Sequence, residues 1–154
     1  MVEVAEENIG IREEGKNNHG EVVAQYLESV GFDEGAPWCG AFVYYCHREA
    51  GIELPGDPRG YAWSPNWFIT EKRTYDHRTD SREPDIRPGD VFGIWFGSKG
   101  RVAHVGILVR QRGSTYYTIE GNTNDGGSRD GDGVFGRKRS LRHINQVARW
   151  SEDR

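Results

Sequence analysis

The chain has 154 residues, a net charge of −4, apolar residues at 35% and 21 glycines. That length fits a single domain, 1–154, able to bury its own core, and the glycine content predicts many tight turns rather than a helix bundle. The charge pattern lacks the basic face of a duplex nucleic-acid binder, no run of about 18 apolar residues offers a membrane span, and the acidic opening MVEVAEENIG is unlike a secretory signal, so synthesis in the cytoplasm is expected.

Residues 3–9 read as a short helix and 13–20 as a polar loop. Val23, Tyr26, Leu27 and Val30 follow the i, i+3, i+4, i+7 spacing of one apolar helical face, and Gly31 ends it. Pro37 suits the first turn of the next helix, whose buried side carries Ala41, Phe42, Tyr45 and Cys46 and which Gly51 closes. Residues 52–86, with four prolines among Tyr61, Trp63, Trp67 and Phe68, read as irregular with one short helix. Beyond residue 88 the apolar period changes to two. Residues 91–96, 102–110, 115–120, 134–139 and 146–150 read as strands, with a glycine-rich loop over 121–133. Helices followed by hairpin-linked strands predict an α+β domain with an antiparallel sheet of about five strands.

The basic run Arg137, Lys138, Arg139 and Arg142 reads as a solvated face rather than a phosphate site. Cys39 and Cys46 lie on one helix, about 10.5 Å apart along its axis, too far for a disulfide. Cys46 falls in the apolar face and reads as a small buried hydrophobe. Cys39 falls at the helix N-terminus, where the dipole favours a thiolate and free N–H groups can bind an oxyanion. A nucleophilic cysteine needs a base within reach. His104 stands alone in the apolar strand VAHVGILV and is either a satisfied core residue or a placed base. A three-residue turn at 112–114 would pair Gln111 with Thr115. That register puts His104 opposite Asn122, diagonal to Glu120 and on the face of both, with Val105, Ile107, Tyr117 and Ile119 on the other face. A turn one residue longer or shorter breaks the match unless a bulge restores it. Glu120 or Asn122 would then fix the imidazole tautomer.

Pro37-Trp38-Cys39-Gly40-Ala41-Phe42-Val43 resembles the nucleophile helix of the CHAP family, the cysteine, histidine-dependent amidohydrolases and peptidases. Arg87-Pro88-Gly89-Asp90-Val91 resembles the family's strand entry, His104-Val105-Gly106-Ile107 its histidine strand, and Glu120-Gly121-Asn122 the residues that follow on the next strand. The resemblance covers roughly residues 8–149 and rests on the order and spacing of short motifs. It implies a papain-like fold and cleavage of an amide bond in peptidoglycan, either the muramoyl–L-alanine amide or a bond of the stem or bridge peptide. It also implies Cys39 as nucleophile, His104 as base and later acid, Glu120 as orienting group and Asn122 as support for His104 or substrate. Trp38, Tyr61, Trp63 and Trp67, with Trp95, are candidates to wall a groove for glycan or peptide, core packing being the other reading. No cofactor or metal is expected for the chemistry. The run 122–133 has calcium-loop composition, but the ligand spacing and closing Glu are missing, so a long turn beside the site is favoured. The expected partner is peptidoglycan, met by a monomer after lysis or delivery by a secretion machine. The alternatives are a thiol amidohydrolase or deamidase on another substrate, or a non-catalytic relative in a phage or wall-binding structure.

Overall fold

In the computed structural model, which describes residues 1–123 and 131–151, three α-helices precede a six-stranded antiparallel sheet. Helix α1 is Val2–Glu7. Helix α2, Glu21–Ser29, buries Val23, Tyr26 and Leu27 and gives way at Gly31, whose φ of 77° is a left-handed stop. Helix α3, Cys39–Glu49, begins with Trp38 as its N-cap, so Pro37 lies just outside the helix rather than in its first turn. The indole accounts for that boundary. It stacks on Tyr26 with ring centroids 5.5 Å apart and donates Nε1–H to Glu13 at 2.8 Å, which holds Trp38 in a non-helical conformation.

Residues 52–86 are more ordered than their prolines suggest. Two 3-10 turns, Pro58–Ala62 and Ser64–Phe68, lead into strand β1, Arg73–Asp76. Strands β2 (Val91–Phe96), β3 (Arg101–Arg112), β4 (Thr115–Thr123), β5 (Gly133–Arg139) and β6 (Gln146–Ala148) follow, in the spatial order β1-β6-β2-β3-β4-β5. The sheet thus has one strand more than about five. The sequence Arg-Thr-Tyr-Asp has no apolar alternation, and β1 is a strand because the distant β6 supplies its hydrogen bonds. Strand β6 stops at Ala148, and Trp150 leaves the sheet to pack against Tyr61 and Trp67.

Alternation divides the sheet. Val91, Val105, Ile107 and Ile119 join the core formed with α2 and α3, while Phe92, Leu108, Tyr116 and Val147 build a second cluster. At Gly121 a side chain would collide with Phe42, so this glycine lets α3 lie directly on β4. The β3–β4 turn is one residue shorter than the sequence suggests: Arg112 pairs with Thr115 and Gln111 with Tyr116. A bulge between Leu108 and Arg110 takes up the difference, and at Leu108–Thr118 and Ile107–Ile119 the strands are in the expected register. Among the described residues no helix is long and apolar enough to cross a membrane.

Candidate active site

Cys39 is the first residue of α3, and no side chain caps the helix start. The thiol is only 7% exposed and has the Ser64 hydroxyl 3.9 Å from its sulfur. The next residue must be glycine, because a Cβ there would strike the Tyr61 carbonyl. Close seating of α3 against the 3-10 turns therefore brings Ser64 to the sulfur.

His104 comes from β3 beside a second irregularity. Ile94 pairs with His104 but Trp95 with Val102, leaving Ala103 as the extra residue. The imidazole is buried, and Nε2 lies 2.7 Å from Glu120 Oε1. Glu120 is fully buried and saturated with donors. Arg139 contributes Nε–H to Oε2 at 2.9 Å and Nη2–H to Oε1 at 2.6 Å, and the Thr118 hydroxyl donates to Oε2 at 2.5 Å. Gly106 makes the room: a Cβ at that position would lie 2.6 Å from Glu120 Cγ and 2.8 Å from the Phe92 ring.

A carboxylate held by a guanidinium fork is ionised and accepts only. Nε2 of His104 therefore carries the proton toward Glu120, which leaves Nδ1 as the ring nitrogen able to accept a proton. Burial by itself raises the Cys39 pKa, but hydrogen bonding to His104, its charge, the Val105 backbone N–H and Ser64 together bring it down to about 7. Burial likewise opposes a charge on His104, yet hydrogen bonds to Cys39 and Glu120 raise it to about 9. Burial opposes the Glu120 charge too, but His104 and Arg139 hold that carboxyl well below the usual range. Such a row of groups can pass a proton from sulfur to imidazole and stabilise the ion pair that results. Cys46, fully buried and pushed up by desolvation, shares none of this. At pH 7.5 iodoacetamide should alkylate Cys39 well ahead of Cys46, and His104→Ala should slow Cys39 labelling about tenfold, as peptide mass mapping of timed samples would show. Equal labelling of both thiols would count against the ion pair.

Cys39, Ser64 and His104 open onto a cleft of about 290 Å³. Asn122 also lines it, in a left-handed conformation (φ 55°) that asparagine tolerates, with a buried Oδ1 that has no hydrogen-bond partner among the described residues. Of the aromatic candidates only Trp63, 49% exposed, walls the cleft. Trp38, Tyr61 and Trp67 belong to the core, where Trp67 donates to Tyr61 O and the Tyr61 hydroxyl to Pro55 O. Trp95 is exposed and lies outside the cleft lining. Sequence reading missed Arg139, placed with its neighbours on a solvated face, and Ser64. A carboxylate on a buried strand requires a cation, and that demand was the available signal for Arg139. Residues 124–130, which include most of the segment of calcium-loop composition, lie outside the described residues. Among the described residues no cluster of three or more His, Cys, Asp or Glu side chains is arranged to hold a metal.

The family model of the CHAP domain matches residues 31–122, a stretch that includes Cys39, His104, Glu120 and Asn122 but not Arg139. No curated protein matches the chain.

Proposed function

This chain belongs to the CHAP domain family, and from that premise we propose that it is a cysteine hydrolase cleaving an amide bond of peptidoglycan, with Cys39 as nucleophile. The family is one of peptidoglycan-hydrolase-like amidases and peptidases. The observation that carries the finer reading is the buried row Cys39, His104, Glu120 and Arg139 at the foot of an open cleft.

In this reading Nδ1 of His104 takes the thiol proton and Cys39 Sγ attacks the amide carbonyl. The free N–H groups in the first turn of α3 stabilise the oxyanion. The imidazolium then gives its proton to the departing amine, leaving a thioester. A water molecule, deprotonated by His104, clears the thioester and restores the thiol. Glu120 keeps the ring in one tautomer and balances its charge, and Arg139 keeps Glu120 ionised. The bond cut is either the muramoyl–L-alanine amide or a peptide bond of the stem or bridge.

The reactive form needs Cys39 without its proton and His104 with its own. It is present above the lowered thiol value and below the raised imidazole value. The plot of kcat/KM against pH should rise through about 7 and fall through about 9, the two limbs belonging to the coupled pair rather than to either residue. Purified cell walls digested by the chain and read by mass spectrometry should yield new amino termini. The position of those termini distinguishes amidase from endopeptidase. Identical products from the unaltered chain and from Cys39→Ala would refute the proposal.

A further inference from the structure

The cleft beside Cys39 is lined by two guanidinium groups and, among the described residues, by no carboxylate. Arg59, from the first 3-10 turn, lies over the Phe32 ring at 4.3 Å and donates to the Gly31 carbonyl. Arg101, from the start of β3, lies over the Trp63 ring at 3.9 Å and donates Nη1–H to Val102 O at 3.0 Å. Neither guanidinium has an ion-pair partner among the described residues, the Asp57 carboxylate accepting from the backbone N–H of Arg59, whereas Arg12, Arg78, Arg139 and Arg149 each have one. The protein carries more acidic than basic residues, so two unpaired cations on one cleft are not the by-product of a basic surface. Stacking on a ring holds a guanidinium in place at little further entropic cost and leaves part of its donor edge free. That edge matches a carboxylate in two-pronged geometry.

We propose that Arg59 and Arg101 bind carboxylate groups of the substrate, so that the chain selects a peptide whose carboxyls near the cleaved amide are free over one in which they are amidated. The inference rests on the reading of this cleft as a peptidoglycan hydrolase site, and it adds the chemical class of peptide taken there. The two arginines come from different elements, which suits a peptide with more than one carboxyl.

The test uses two synthetic muramoyl tripeptides, L-Ala–D-Glu–L-Lys with both carboxyls free and the same molecule with both as carboxamides. Calorimetric titration into the Cys39→Ala chain reads recognition without turnover. The free-acid peptide should bind more tightly by about tenfold for each arginine engaged, the range of a charge-assisted hydrogen bond. Arg59→Gln and Arg101→Gln should each shrink the acid-to-amide ratio about tenfold, and the double variant should bring it near one. Arg101→Lys should restore part of it. The ratio is insensitive to a general loss of folded protein, and thermal melting of each variant checks the fold directly. Equal or absent binding of the two peptides by the Cys39→Ala chain overturns the inference. So does a ratio that survives in the double variant. If the ratio behaves as expected while the unaltered chain leaves cell walls uncut, the hydrolase reading fails and the carboxylate preference stands.

Discussion

Replacing His104 by alanine is expected to lower kcat/KM on cell-wall fragments by about 10⁴-fold. Two effects are lost together. The thiol loses the group that lowers its pKa, so burial dominates and the sulfur stays protonated. The leaving amine loses the acid that protonates it, so a thiolate supplied by high pH would still stall at the tetrahedral stage. The fold should survive, because Glu120 keeps both hydrogen bonds from Arg139 and the one from Thr118. Steady-state kinetics beside a melting curve separate the two readouts. Added imidazole, small enough for the vacated space, should recover a measurable part of the rate. A loss of less than tenfold with the fold intact would mean that His104 is not the base.

Arg139→Met is expected to act in the opposite way, through stability more than chemistry. Glu120 is wholly enclosed, and the side chain of Arg139 is itself only 9% exposed. Removing Arg139 leaves the buried Glu120 charge with only His104 and Thr118 as partners and costs about 3 kcal/mol, or roughly 10 °C in melting temperature for a chain of this size. Glu120→Gln combined with Arg139→Met should cost clearly less than the two single changes added together, since the double variant has no buried charge to neutralise. Arg139→Lys should fall between, because an ammonium cannot form the two-pronged contact. The folded-state pKa of Glu120 is depressed, so its contribution is present above the ordinary carboxylate range and fades as pH falls toward the lowered value. Thermal melts from neutral to strongly acidic pH would show the gap between the unaltered chain and Glu120→Gln closing at the acid end. Additive single and double changes would remove the case for the pair.

Cys39, His104 and Glu120 were legible in the sequence. Cys39 sits where a helix begins and His104 interrupts a run of apolar strand residues, while Glu120 stood out only through the register that puts it on the face of His104. Their meeting could be derived from alternation and a register, and that register was right at Leu108–Thr118 and Ile107–Ile119, next to the site, although the turn was not. A turn length cannot disclose an extra residue four positions away, which depends on how the twisted pair packs. Arg139 was hidden for a related reason. In Arg-Lys-Arg the middle residue and its neighbours differ only in which face of the strand they occupy, and the face is set by pairing with Tyr116 on β4. Strand β1 and the burial of Trp38, Tyr61 and Trp67 are likewise outcomes of contacts distant in sequence. Of the aromatic residues of 52–86, Tyr61, Trp63 and Trp67 were read as candidate groove walls with core packing as the other reading; Tyr61, Trp67 and Phe68 serve the core, and only Trp63 reaches the cleft.

The bulge in β3 has a practical corollary. It stands between the Gly113–Ser114 tip and the imidazole, and a side chain added at Gly113 would meet nothing within 4 Å. A reporter peptide or biotin-acceptor tag spliced into that tip would extend into solvent while the last cross-strand rungs stayed closed, giving a labelled protein with an undisturbed centre. Excising Val109 would only remove the bulge: the rungs Arg110–Tyr117 and Leu108–Thr118 would become neighbours in a regular ladder, and the imidazole would keep its face of the sheet.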